Sequence, residues 1–344
     1  MTQIIAASIG SYPRIGEEKD QQRHRRAYQH LQSGELSQHG FLDVQQSVIQ
    51  EVIREQIEAG LDEVTDGHVT WTDPITKFCE NIKGIKIAGL ARYFDANFYY
   101  RVPVITAKPK KSNPFLLSDF QAAREMSPRP LRTVLTGPFT LAAHTVSEFK
   151  PFNNFAVRLS FFAEALREEI SELAANGAQI IQIDEPSLPF LPEQIPQAGR
   201  VFESLTSAAP QARKILALYF APLAGIIKEA QNFPFDVINL DFSYDEKKLT
   251  EIILQENIQK NIGFGILNSR TTKLEPIDPI LKTIKQWIEK NNPPYVYITA
   301  STGLEYLPRA AAQAKLRLLS KIKTELGEGA VVHSSHFGPK PLGN

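Results

Sequence analysis

The chain has 344 residues, 38 basic and 38 acidic, for a formal net charge of zero, and a single cysteine. Balanced charge offers no global field for nucleic acid, and no cationic amphipathic stretch marks a membrane surface, so a small-molecule ligand is the expectation. The lone Cys79 excludes an intrachain disulfide and any multi-cysteine metal site within the chain. The start, MTQIIAAS, lacks a basic and a long apolar region, and no segment approaches the roughly 20 apolar residues of a membrane span, which predicts a cytoplasmic protein.

Eight apolar, β-branched-rich runs read as buried strands: Ile4–Ser8, Leu61–Thr65, Thr133–Thr136, Ile180–Ile183, Ile215–Tyr219, Val237–Asp241, Ile262–Leu267 and Tyr295–Thr299. Segments with apolar residues three and four apart separate most of them, among them Gln45–Ala59, Phe155–Asn176 and Pro308–Leu326, which read as helices. Strand–helix alternation repeated eight times predicts an α/β fold, a (β/α)8 TIM barrel over residues 1–330, although periodicity alone also fits an open doubly wound sheet. After the second strand the pattern breaks. Residues 84–107 alternate and are rich in aromatics, and the polar connector KPKKSNP follows, which predicts a β-hairpin-like insertion over about 84–125. Such an insertion serves either as a lid over the barrel mouth or as a packing flap. Residues 331–344 read as a tail, in which His333 and His336 have the spacing of a metal pair but no third ligand nearby.

Reactive groups of a parallel α/β protein collect where strands end. IGSYPRIG (Ile9–Gly16) and IQIDEPSLPF (Ile181–Phe190) are such ends. Asp184 and Glu185 are adjacent on a strand and point to opposite faces, so Asp184 is expected in the cavity and Glu185 against a neighbouring loop. Asp66, before Gly67, fits a turn as well as a site. His68 shares its loop with Trp71 and Asp73 and is either a group that changes charge near neutrality or a satisfied structural histidine. Asp241 and Tyr219 are a candidate acid and phenol pair for proton transfer.

The ordered words YPRIG (Tyr12–Gly16), EAGLDEVTDG (Glu58–Gly67), ARYFDANFYYRVP (Ala91–Pro103), LTGPFTL (Leu135–Leu141), IQIDEPSL (Ile181–Leu188), ALYFAPL (Ala217–Leu223) and STGLEYLP (Ser301–Pro308) resemble the cobalamin-independent methionine synthase family. Its long members contain two related (β/α)8 barrels, and the likeness covers most of this chain and looks closest to the N-terminal, folate-side barrel. The resemblance implies methionine or one-carbon metabolism and a homocysteine methyltransferase or a component of one. In the other barrel a His-x-Cys pair, a Glu and a second Cys hold zinc; those positions fall here on Ala217, Tyr219, Asp241 and Thr302, of which only Asp241 is a ligand type. A catalytic zinc normally needs three protein ligands, so no zinc is expected at these positions, and methyl transfer is expected to need a separate zinc-bearing barrel as partner.

The resemblance also places an amino acid's carboxylate at Ile9, Gly10 and Ser11 and its amino group at Asp184. His68 stands where the family has a carboxylate, and Arg270 falls near its proton-donating histidine. With methyltetrahydrofolate polyglutamate as substrate, Arg14, Lys19 and Arg23, with Arg25 and Arg26, are candidates for the anionic tail, unless they form a solvated helix face balanced by Glu17, Glu18 and Asp20. Trp71, Phe94, Phe98 and Tyr99 are candidates to stack on a pterin or to pack the insertion. The alternatives are a zinc-free enzyme of lyase or decarboxylase type and a non-catalytic binding protein.

Overall fold

The computed structural model describes residues 2–111 and 114–332, so the candidate pair His333 and His336 lies outside the described residues. The strands are β1 (Gln3–Ala6), β2 (Ile82–Arg92), β3 (Tyr99–Lys111), β4 (Arg132–Thr136), β5 (Val146–Ser147), β6 (Ile180–Asp184), β7 (Arg213–Leu218), β8 (Val237–Asp241), β9 (Asn261–Leu267) and β10 (Tyr295–Ala300). Seven of them form one parallel sheet in the order β1-β10-β9-β8-β7-β6-β4. The predicted strand Leu61–Thr65 forms two isolated bridges, Ala7 with Glu63 and Val64 with Leu131, rather than a ladder. Its amides still join both sheet edges, through Asp62 N–H to Ala6 O at 2.8 Å and Val64 N–H to Pro130 O at 3.1 Å, and Arg132 N–H returns to Val64 O at 2.8 Å. This segment is the eighth stave that curls the sheet round.

The three helices expected from spacing all form, although the one expected over Gln45–Ala59 begins earlier, at Gln38, and the one expected to end at Leu326 runs on to Val332. Over Phe155–Ala175 the side chain of Asn154 accepts from Ala156 N–H at 2.8 Å and caps the first turn. Leu159, Phe162, Leu166, Ile170 and Leu173 then face the sheet, and Gly177, at φ +88°, ends the run. The helices Gln38–Glu58 and Arg309–Val332 likewise cover the outer face. No helix among the described residues is long and apolar enough to cross a membrane.

β2 and β3 pair antiparallel, and β5 adds to β3 in a small second sheet. The turn between them, residues 93–98, reaches the C-terminal ends of the barrel strands. Inside the barrel, aliphatic side chains usually fill the layers. Here one layer is charged: Arg132 donates to Glu63 Oε2 at 2.8 Å and to Gln182 Oε1 at 2.9 Å, and Glu63 Oε1 accepts from Tyr297 at 2.5 Å and Arg213 at 3.1 Å.

Candidate functional site

Asp184 ends β6 at the barrel mouth. Its Oδ1 accepts from Gln182 Nε2 at 2.6 Å and its Oδ2 from the Tyr219 hydroxyl at 3.0 Å. The second hydrogen of Gln182 Nε2 goes to Ile9 O at 2.7 Å, and Arg132 holds its Oε1, so no freedom is left in that amide. The two words at Ile9–Gly16 and Ile181–Phe190, far apart in sequence, therefore meet through one side chain. Glu185 points the other way, as strand alternation requires. Its carboxyl accepts from Phe139 N–H and Thr140 N–H, both at 2.9 Å, and from Thr140 Oγ1 at 2.6 Å, at the start of the helix Pro138–His144. A Cβ on Gly137 would collide with that carboxyl, which accounts for glycine in LTGPFT.

Burial pushes the Asp184 pKa up to about 7, against the pull of Gln182, Tyr219 and Arg132. Around it stand Tyr93, Tyr219 and Tyr306, each held well above the ordinary phenol value by burial and by the carboxyls, and each therefore an O–H donor. Glu305 is also raised, chiefly by burial, with Arg14 opposing. The mouth is thus rich in acids and phenols, which suits a cationic group.

The end of the first strand forms the opposite wall. Gly10 has φ +153°, and the His68 ring lies 3.2 Å from where its Cβ would be. His68 stacks on Trp71 with centroids 3.7 Å apart. Burial, then Lys77 and Arg14, push its pKa down to about 3, which favours the structural alternative for this histidine over a charge change near neutrality. His68 Nε2 and Trp71 Nε1 are buried without hydrogen-bond partners among the described residues. Leu304 N–H donates to Ser11 O at 2.8 Å, and a Cβ on Gly303 would overlap Ser11 Oγ, so STGLEYLP is shaped around Ser11. Three of the four non-glycine residues with positive φ among the described residues, His68, Phe94 and Phe220, lie at this mouth, where backbone strain is commonly held by function.

The expected pairing of Tyr219 with Asp241 is corrected. β7 ends at Leu218, Phe220 turns at φ +64°, and the Tyr219 hydroxyl reaches Asp184. Asp241 instead accepts from Ser243 N–H at 2.7 Å, Ser243 Oγ at 2.6 Å and Phe220 N–H at 3.2 Å. These commitments bear on zinc. Ala217 has no side-chain donor, the Tyr219 oxygen serves Asp184, both Asp241 oxygens are engaged, and Thr302 Oγ1 donates to Gly303 O at 3.2 Å. The four positions do not fit a zinc ion, and no group of three or more His, Cys, Asp or Glu poised for a metal occurs among the described residues. Chain purified from zinc-supplemented medium is expected to carry well under one zinc per molecule by elemental analysis; a full equivalent would contradict this donor-set argument.

The remaining candidates scatter. Arg14 Nη1 donates to Val69 O at 3.1 Å and Trp71 O at 2.5 Å, bracing the His68 loop. Arg23 pairs with Glu51 at 2.5 Å, while Lys19, Arg25 and Arg26 are exposed. Arg270 sits on the rim, bonded to Asp95 and Tyr244. Phe94 and Phe98 pack on Phe220 and Tyr306, and Tyr99 is exposed. Sequence reading missed Gln182, Tyr93, Glu305 and Tyr306 as parts of the mouth, although all four lie within the quoted words.

These features define a β/α-barrel protein with a closed, acid- and phenol-lined mouth. Residues 4–324 match the family model described as "Cobalamin-independent synthase, Catalytic domain". The chain belongs to that cobalamin-independent methionine synthase family, and the matched half is the catalytic one, although the words above were read against the other barrel. It is 27% identical over 319 residues to a methionine synthase of Sulfolobus acidocaldarius, covering 92% of this chain and 90% of that protein. It is also 27% identical over 309 residues to one of Saccharolobus solfataricus, covering 90% of each. The solved B12-independent methionine synthase of a Shewanella species, in complex with selenomethionine, superposes with a TM-score of 0.81 at 17% identity, covering 96% of this chain and 100% of that one. A putative vitamin-B12 independent methionine synthase of Listeria monocytogenes gives 0.71 at 17% identity, covering 95% and 98%. At these identities the structures establish the shared TIM-barrel-like fold.

Proposed function

We propose that this methionine synthase-like chain binds homocysteine or methionine at the barrel mouth, with the ammonium on Asp184 and the carboxylate at the Gly10–Ser11 turn. It then takes part in methyl transfer from a methyl-folate polyglutamate together with a separate zinc-bearing barrel. The carrying observation is Asp184, a buried carboxyl fixed by Gln182 and Tyr219 at the mouth, with no ion pair among the described residues and only the more distant charge of Arg132 acting on it. An arriving ammonium supplies the missing charge partner. The relatives' printed name, methionine synthase, and the selenomethionine of the Shewanella protein support an amino acid of this kind. A thiol attacks a methyl carbon well only as thiolate, and the side chains at 217, 219, 241 and 302 do not supply a metal for that, which is why the reading includes a partner barrel.

In the test, the chain is titrated with methionine and homocysteine, and methyl transfer from methyltetrahydrofolate triglutamate is assayed with and without a zinc-bearing methionine synthase barrel. Binding, with turnover only in the partner's presence, is expected; turnover by the isolated chain would remove the partner from the reading. A second reading, zinc-free acid–base chemistry of lyase or decarboxylase type, draws on the Asp184–Tyr219 pair, whose carboxyl titrates near neutrality. Release of carbon dioxide or an eliminated fragment from an amino acid by the isolated chain would favour it.

The binding reading has a pH signature. With its pKa at about 7 in the free protein, Asp184 is about 90% protonated at pH 6 and about 90% ionised at pH 8. Only the carboxylate pairs with an ammonium, so apparent affinity rises about tenfold between those pH values. Calorimetry across that range checks it, and a flat profile would detach Asp184 from the ligand.

A further inference from the structure

The tip of the β2–β3 hairpin roofs the mouth, and this roof carries a buried polar atom that is poorly satisfied. Tyr93 is 1% exposed, and among the described residues its hydroxyl makes no well-formed hydrogen bond; its neighbour, the Tyr219 hydroxyl, gives its own proton to Asp184. Aromatic rings box it in: Phe94 at 4.7 Å, Tyr100 and Phe220 at 6.0 Å and His144 at 5.4 Å between centroids. Such packing fixes the ring while leaving the oxygen unsatisfied, and an orphaned buried hydroxyl is costly unless something else satisfies it. Its surroundings say where that something sits. The charges of Asp184 and Glu305 act on the Tyr93 phenol, and beside it lies the Tyr219 hydroxyl, itself bonded to Asp184 Oδ2 at 3.0 Å, so Tyr93 stands on the Asp184 side of the mouth.

The tip is held down from across the barrel. Arg270 Nη1 donates to Asp95 Oδ1 and Oδ2 at 2.9 and 3.0 Å, and the Tyr244 hydroxyl donates to Oδ1 at 2.6 Å. The Arg270 guanidinium also lies 4.4 Å over the Tyr244 ring. Asp95 and Arg270 are 175 residues apart, so this is a tertiary clasp between the insertion and the loops after β8 and β9. Its carboxylate is 58% exposed, which makes it a weak, water-accessible pair, as suits a contact that opens and re-forms. Next to it Phe94 has φ +52°, a conformation costly for a non-glycine residue unless its surroundings hold it.

We infer that residues 93–98 are a lid, that Asp95 with Arg270 and Tyr244 is its latch, and that closure sets the Tyr93 hydroxyl against the α-amino or α-carboxyl group of the bound amino acid. The identity of the ligand rests on the proposed function; the latch does not. Opening of the tip gives the amino acid a way into a mouth that is otherwise covered. Closure then excludes water from the Asp184 carboxyl, which strengthens its pairing with an ammonium.

Two measurements on the full chain test this. In hydrogen exchange, the amides of Tyr93 and Ala96, bonded to Phe98 O at 2.9 Å and Tyr93 O at 3.3 Å, are expected to exchange at least threefold faster in Asp95→Asn than in wild type, with the unfolding midpoint unchanged. Equal exchange overturns the latch. In calorimetry, Tyr93→Phe is expected to weaken methionine binding about five- to tenfold without lowering the unfolding midpoint, and unchanged affinity overturns the Tyr93 contact. A wild-type chain that binds neither methionine nor homocysteine overturns the amino-acid reading and the Tyr93 contact with it, while the exchange comparison still decides the latch.

Discussion

Asp184→Asn is expected to weaken methionine and homocysteine binding by about 2–5 kcal/mol, roughly 30-fold or more, because it removes one partner of a desolvated ion pair. The amide is isosteric: its oxygen keeps the Gln182 bond, and its nitrogen can donate to the Tyr219 oxygen, so the fold is retained. Stability moves the other way. Asp184 ionises at about 7 in the folded chain against an ordinary 3.8. Between about pH 4 and pH 7 the unfolded chain therefore loses a proton that the folded chain keeps. Stability falls as pH rises through that window, and the loss is complete above pH 7. The asparagine variant lacks this loss, so it should unfold at a higher temperature than wild type at pH 8 and at a similar one near pH 4. Thermal unfolding at both pH values, with calorimetry at pH 8, checks both halves. A variant that binds like wild type removes Asp184 from the site.

The second large effect is on the charged layer beneath the mouth. Arg132→Met is expected to destabilise the chain by about 3–5 kcal/mol in urea unfolding, because it leaves Glu63 buried with only Arg213 and Tyr297 and strips the partner from Gln182 Oε1. Methionine fills most of the volume, so the loss reports the pairing rather than a cavity. Adding Glu63→Gln should recover part of it. A single-variant cost below about 1 kcal/mol would show that the layer relaxes or takes up water instead. Gln182 also orients Asp184, so the same variant is expected to bind the amino acid more weakly.

Much of this fold is written in local pattern. The apolar runs Val237–Asp241 and Tyr295–Thr299 lie in the sheet where they read as strands, the second extended by Ala300, and the helix Phe155–Ala175 begins and ends where Asn154 and Gly177 punctuate it. The stave at Leu61–Thr65 reads as a strand from Leu61 and the β-branched Val64 and Thr65, yet it bridges each sheet edge through single residues, which composition does not encode. Asp184 was legible because a strand-end acid after a buried run has one face to occupy. The partner of Tyr219 was not, since the backbone leaves β7 through a positive φ at Phe220 that no sequence pattern announces. The surroundings of Tyr93 and Asp95 were hidden for a related reason: Phe220, against Tyr93, and Tyr244 and Arg270, on Asp95, come from loops well over a hundred residues away.

The proposed function requires an amino acid bound at Asp184. The most direct measurement is calorimetric titration of the chain with methionine at pH 8, in two buffers of different ionisation enthalpy, beside the Asp184→Asn variant. The prediction is one methionine bound per wild-type chain, with a small proton release that grows toward pH 7, and binding by the variant weaker by roughly 30-fold or more. Equal binding by both proteins, or none by wild type, would contradict it.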